Sequence, residues 1–123
     1  MVKPKAKVIR YDKVPAVLFG KEAPGTSIRQ LISNNLDGAP VYDMRMIEIE
    51  PHGHTPHHSH PYEHENFIVD GRGEVFFEGE WRELGPGDVV FVPPGVQHQY
   101  RNTGDSIFRF LCSVPAEHLR PTG

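Results

Sequence analysis

The sequence predicts a single all-β domain, a sandwich or barrel built from about ten short strands. Three observations carry that expectation. The 12 Pro and 12 Gly among 123 residues interrupt the chain every few positions. The segments between them are short and rich in Val, Ile, Phe and Tyr, which favour strands bounded by turns. No window of 11 residues keeps an apolar period of 3.6, so no amphipathic helix is indicated. The length suits one domain with a hydrophobic core and is too short for two of ordinary size, so 1–123 is read as one unit. An apolar content of 37%, before glycine is counted, lies in the globular range.

Taken in order, the strands are expected at 7–11, 16–19, 27–32, 42–50, 66–69, 74–78, 81–84, 89–92, 97–102 and 107–114. A single helical turn is expected at 115–119, after the last strand. Residues 1–25 read as an N-terminal arm and first strands, with Lys3, Lys5, Lys7 and Arg10 keeping the start polar. Asp70-Gly71-Arg72-Gly73, Glu78-Gly79-Glu80 and Gly85-Pro86-Gly87-Asp88 read as successive turns, making the middle of the chain a run of hairpins that curls and closes.

Charge removes several partners. The formal net charge is −3, and its 13 basic and 16 acidic residues are spread along the chain, so there is no basic face for nucleic acid or an anionic membrane. No apolar run approaches the ~20 residues of a membrane span, and the first residues lead into no signal-peptide core, so a cytoplasmic location is expected. Cys112 is the lone cysteine. It can form no internal disulfide and no thiolate cluster, so any bound metal must be held by nitrogen or oxygen.

That directs attention to the histidines. Of eight, six fall between His52 and His64. On a strand, residues two and four apart share a face, so His58, His60 and His64 would point one way and Ser59, Glu63 and Glu65 the other. Imidazole nitrogen suits Mn, Fe, Co, Ni, Cu or Zn. His98 is the candidate for a fourth ligand from a distant strand, because it follows Val89-Val90-Phe91-Val92-Pro93-Pro94-Gly95 and shares a strand face with Tyr100. Phe108, Phe110 and Cys112 share one face of the last strand by the same alternation, and they join Tyr100 as candidates for a pocket wall. Arg45, Met44 and Met46 lead into the histidine block and are candidates as well, Arg45 for the substrate pocket, but alternation does not decide which of their faces looks inward.

These two blocks resemble the signature motifs of the cupin superfamily. The second motif, Gly, five residues, Pro-x-Gly, two residues, His, three residues, Asn, is matched at Gly87, Pro93, Gly95, His98 and Asn102. The first is matched at His58, His60 and Gly71, with His64 where the family usually carries Glu; Gly53 stands one residue too close to His58. Aligning the family's Glu on Glu65 instead puts the following Gly out of register and turns the side chain to the other face. The block His58-Ser59-His60-Pro61-Tyr62-Glu63-His64-Glu65 is similar to that of small bacterial single-domain cupins with four histidine ligands. The resemblance implies a double-stranded β-helix, or jelly-roll, barrel. It also implies one divalent transition metal on His58, His60, His64 and His98. Manganese is the metal of the similar members, with iron, copper, nickel or zinc compatible with the donors.

Simpler explanations compete for each feature. A surface histidine tract can pick up metal incidentally, but the complete match of the second motif, far along the chain, weighs against that. His52, His54 and His57 precede Pro56 or alternate away from the ligand face, and are read as solvated loop residues. Cys112, Tyr100 and Phe110 are by default core residues. The expected function is a metal-dependent oxidoreductase of dioxygenase type, using dioxygen or peroxide on a small, oxygen-rich or aromatic molecule. Two alternatives stand beside it: a non-catalytic metal-anchored binding protein, and a sugar-phosphate isomerase, for which Arg45, Arg101 and Arg109 are the available phosphate partners. A homodimer is expected, because cupins often exchange N-terminal strands and sheet edges invite pairing.

Overall fold

The computed structural model of the chain describes residues 2–121. Those residues form nine strands: β1 (Val17–Leu18), β2 (Thr26–Ile32), β3 (Tyr42–Ile49), β4 (His64–Asp70), β5 (Gly73–Phe77), β6 (Glu80–Leu84), β7 (Val89–Val92), β8 (Gln99–Asn102) and β9 (Phe108–Pro115). Six make one sheet in the order β1-β2-β3-β9-β4-β7, and three make the other in the order β6-β5-β8. All strand pairs are antiparallel. The two sheets face each other as a short barrel.

Alternation in the sequence builds the core. On β9, Phe108, Phe110, Cys112 and Val114 are buried while the residues between them are only partly covered. On β4, His64, Asn66 and Ile68 turn inward in the same way. They meet Ile47 and Ile49 of β3, Val90 and Val92 of β7, and Val75 and Tyr100 from the small sheet. Each such apolar side chain, fully buried, contributes about 1.5–3 kcal/mol of transfer free energy. A second, smaller cluster lies on the outer face of the large sheet, where Val14 packs on Leu31 and Met46 beside Tyr11 and Met44.

Turn chemistry closes the frame at a few positions. Glu78 and Gly79 both take positive φ, 52° and 87°, the pattern of a two-residue I′ hairpin turn, and Phe77 pairs with Glu80 across it. At Gly71, φ is 80° and an added Cβ would strike the Ile107 carbonyl oxygen, so this position needs glycine on both counts.

Several expectations are corrected. The segment 7–11 is not a strand: Lys7 to Arg10 run without regular structure, Val8 is fully exposed, and Tyr11–Lys13 form a 3-10 turn. No described neighbouring strand pairs with them, so β-branched residues alone do not make a strand there. Asp70–Gly73 is no hairpin; it carries the chain from the large sheet to the small one, and β4 pairs with β7 and β9 instead. The expected helical turn near 115–119 is present as a 3-10 turn, Glu117–Leu119, but α1 (Asn34–Asp37) was not foreseen. Its four residues are too short to show a period. Ser33 Oγ caps it by accepting from the Leu36 N–H at 3.0 Å, and Gly38 ends it at φ 70°.

Candidate metal centre

The two motif blocks are joined through backbone before any side chain is considered. His58 and His98 form an isolated antiparallel bridge: the His98 N–H donates to the His58 carbonyl at 2.9 Å and the His58 N–H to the His98 carbonyl at 3.2 Å. Two residues on, the Gly95 N–H donates to the His60 carbonyl at 2.9 Å, with Gly95 at φ 79°. The Pro93-Pro94-Gly95 turn of the second motif therefore holds the backbone of a first-motif histidine. The structure also corrects the reason given for the convergence of His58, His60 and His64. His58 and His60 are not on a continuous strand, because β4 begins only at His64. Pro56 and Pro61 withhold ladder donors around them. Contacts to the second motif bring their rings together instead.

The imidazoles of His58, His60 and His98 each offer a nitrogen lying within 4.8 Å of the others. The ring of His98 is centred 5.0 Å from that of His58 and 5.1 Å from that of His60. The Nδ1 of His60 lies 3.0 Å from the Tyr62 carbonyl and that of His98 2.9 Å from the Val96 carbonyl. A carbonyl only accepts, so both Nδ1 atoms carry the proton, and each Nε2 presents its lone pair. The His60 and His64 Nε2 atoms are buried without a partner. An unsatisfied buried acceptor costs about 1–3 kcal/mol, so these orphaned nitrogens fit a site made for a metal ion.

His64 stands beside the trio. Its ring stacks on His60 at 4.3 Å and is centred 5.4 Å from His98, while its Nδ1 lies 3.0 Å from Cys112 Sγ. It is not one of the three clustered nitrogens. Its face is nonetheless inward, and Glu65 is exposed on the outer face, paired with Ser113 of β9. Glu65 is pushed up to about 7 by hydrogen bonding to Glu63, an arrangement that involves no histidine.

Burial sets the charge of the centre. Desolvation, the largest cause in each case, lowers the pKa of all four rings; His58 is held down to about 4 and His64 to about 2, with Arg45 and neighbouring imidazoles adding to the effect. The rings are therefore neutral at pH 7, the form in which imidazole binds metal.

The cavity around them has a volume of about 130 Å³. Of the candidate wall residues, Tyr100, Phe110, Cys112 and Arg45 line it, Arg45 on a face that alternation left undecided. Phe108 does not; it lies deeper, its ring against Gly73 and 5.3 Å from Phe110. Tyr100 stacks on Phe110 at 4.4 Å and donates its hydroxyl to Asn66 Oδ1. Its burial raises the phenol pKa well above 10, keeping it protonated. Sequence reasoning missed Phe19, Ile28, Ile47 and Tyr62 in the wall. Tyr62 carried a readable signal, as an aromatic between two ligand candidates, and it stacks on His60 at 4.2 Å. Of the other histidines, His52 and His57 are exposed, while half-buried His54 meets Gln99.

Comparison with known proteins places this geometry. The family model described as "Cupin domain" matches residues 45–114, which include both motifs. The chain is 32% identical over 117 residues to the 1-methylthio-D-xylulose 5-phosphate methylsulfurylase of Rhodospirillum rubrum, covering 91% of this chain and 72% of that protein. The polyketide cyclase RemF from Streptomyces resistomycificus superposes with a TM-score of 0.86 at 32% identity, over 95% of this chain and 82% of that one. A shorter similarity, 41% over 54 residues, links 40% of the chain to 29% of the glucose-6-phosphate isomerase of Thermococcus kodakarensis. No helix among the described residues is long and apolar enough to cross a membrane. With a facing-sheet barrel, a histidine triad where the two motifs meet, and a family match over more than half its length, the chain belongs to the cupin family.

Proposed function

We propose that this cupin is a metal-dependent enzyme that holds one divalent transition metal on His58, His60, His64 and His98 and acts on a small oxygen-bearing molecule in the adjoining cavity. The three clustered nitrogens of His58, His60 and His98 carry the reading. The buried, unpartnered Nε2 of His64 beside them supports a fourth ligand, and its bond to Cys112 orients the ring. Manganese is the proposed metal by similarity; iron, copper, nickel and zinc satisfy the same donors. A bound divalent ion would supply Lewis acidity at a substrate oxygen or, if redox-active, one-electron chemistry.

The chain's own residues define the rest. Phe110, Ile28 and Ile47 exclude water, Tyr62 stacks on His60, and protonated Tyr100 stays committed to Asn66. Among the described residues no aspartate or glutamate lines the cavity, so none of them places a carboxylate as general base. That supports a dioxygenase-type oxidation over a reaction run by a carboxylate proton shuttle. The similarity to a polyketide cyclase and to a sugar-phosphate isomerase favours a second reading, Lewis-acid chemistry at a carbonyl without oxygen.

Elemental analysis of purified protein and of His98→Ala and His64→Ala tests the centre. Wild type should carry about one ion per chain, His98→Ala should lose it, and His64→Ala should carry less while remaining folded. Full occupancy in His64→Ala together with loss in Glu65→Ala would overturn the ligand set. Oxygen uptake over a panel of aromatic and dicarbonyl compounds then separates the chemistries. Turnover without uptake selects the carbonyl reaction, and no turnover with measurable binding leaves a binding protein.

A further inference from the structure

The wall of the histidine cavity contains one residue of fixed charge, Arg45. Strand β3 places it there: it pairs with Gln30 on one side and Cys112 on the other, on the inward face of the large sheet. Other arginines of this fold are matched. Arg29 and Arg109 share Glu48, Arg101 grips Glu74 and Arg120 grips Asp43. Arg45 has no carboxylate within 4.0 Å among the described residues. Its Nη2 donates to Cys112 Sγ at 3.3 Å, a weak acceptor, and its Nε is buried with no acceptor at all.

Arg45 is half-buried, and a guanidinium whose Nε is enclosed without an acceptor carries a desolvation cost that no anion offsets. The imbalance grows when the centre is loaded. A divalent ion on neutral imidazoles would keep both its charges, and Arg45 would make three, with no negative side chain among the described residues of the wall to offset them. Apart from the histidines and Thr55, the rest of the wall is largely apolar and aromatic. Protein cavities of roughly 150 Å³ take up benzene, so a space of about 130 Å³ is of single-ring size.

We propose that Arg45 is an anion-recognition residue and that the natural ligand is a small planar organic carboxylate or comparable oxyanion, with its apolar body against Phe110 and Ile47 and its charge met by Arg45. This substrate class rests on the enzymatic reading above, in which the same cavity is the reaction site. Arg45 does not hold the metal; it selects what approaches it. Its contact with Cys112, which in turn meets His64, ties anion binding to the orientation of that ring.

Benzoate and its neutral isostere benzamide are suitable probes, titrated into zinc-loaded and metal-free protein and followed by calorimetry and by amide chemical shifts. Charge-assisted hydrogen bonds exceed neutral ones enough to give at least a tenfold preference for benzoate in wild type. In metal-free protein, where no bound ion can itself favour the carboxylate, Arg45→Gln should abolish the preference while keeping the fold, and its zinc content after loading should match wild type. Arg45→Lys should restore part of it, because the charge returns without the planar fork. Equal binding of the two probes to metal-free wild type, or an intact preference in folded, metal-free Arg45→Gln, would overturn the proposal. The metal-free titration keeps the two readings separate: wild type that takes up no metal refutes the metal centre, whereas the benzoate preference of that same sample still decides the role of Arg45.

Discussion

Asn102 ends the second motif, and the residue is 6% exposed. Its Nδ2 donates to the Ile49 carbonyl at 2.8 Å and to the Ser106 carbonyl at 2.7 Å, and its Oδ1 accepts from the Gly104 N–H at 2.8 Å. One amide thereby ties the end of β8 to the end of β3 and shapes the turn that leads into β9. It does not line the histidine cavity. Asn102→Ala deletes all three bonds, and at about 1 kcal/mol net for each the loss is about 3 kcal/mol. Unfolding entropy near 2.1 cal/mol/K per residue gives roughly 0.26 kcal/mol/K for a chain of this length, so the melting temperature should fall by about 12 °C. Scanning calorimetry on metal-free protein measures this without linkage from a bound ion. Metal uptake by the folded variant at low temperature should match wild type. A fall of less than about 3 °C, or a folded variant that cannot take up metal, would refute the assignment of Asn102 to the frame rather than the site.

Two further outcomes follow from burial and exposure. The folded pKa values of His58 and His64 lie below the ordinary 6.5, at about 4 and about 2. The unfolded chain therefore binds protons that the folded metal-free chain refuses, and stability present above pH 6.5 is lost as pH falls toward 4. Glu65, raised to about 7, has the opposite sign. The informative quantity is thus the difference between wild type and His64→Gln in urea unfolding at pH 7.5 and 5.5; wild type should lose more stability, and equal losses would show that His64 is not held neutral by burial. For the assembly, we propose a homodimer in which the N-terminal arm packs on a second copy. Val8 is fully exposed, and Val17 and Leu18 on the edge strand β1 are exposed beside it in sequence. Sedimentation velocity should show a dimer that weakens when residues 2–10 are deleted, and a monomer throughout a dilution series would remove the proposal.

How much of this was readable beforehand depended on whether local chemistry or distant contact decided the outcome. The second motif was legible through its resemblance to the cupin signature, and three of its positions answer local demands: Gly87 and Gly95 take φ of 94° and 79°, and Pro93 opens the turn that leads to His98. The inward face of β9 was legible from strict alternation. For β3 the same rule was silent, since Tyr42–Ile49 is apolar on both faces: Ile47 and Ile49 enter the barrel, while Met46 is buried outside it by Val14 and Leu31. That outer cover comes from the N-terminal segment, whose position no periodicity in β3 reveals, and so the inward face of Arg45 emerged only in three dimensions. Phe19 reaches the cavity from beyond the end of β1 for the same reason. Ser33 and Gly38 did carry a capping signature for α1, but a four-residue helix offers no period to prompt the search.

The division of labour between the motif residues has a consequence for chemistry. Gly71, Gly95 and Asn102 act on backbone: one admits the close approach of Ile107, one donates to the His60 carbonyl, one links three segments. The imidazoles then need only their position, and His58 and His98 receive it from a reciprocal main-chain bridge that survives any change of side chain. Histidine substitutions should accordingly alter metal binding more than folding, whereas the frame residues should do the reverse. A barrel organised this way can change its reaction by replacing wall residues such as Arg45, Tyr62 or Cys112 without disturbing the scaffold. Similarity to relatives that bear such different names therefore fixes the frame, and leaves substrate choice to the few side chains that line the cavity.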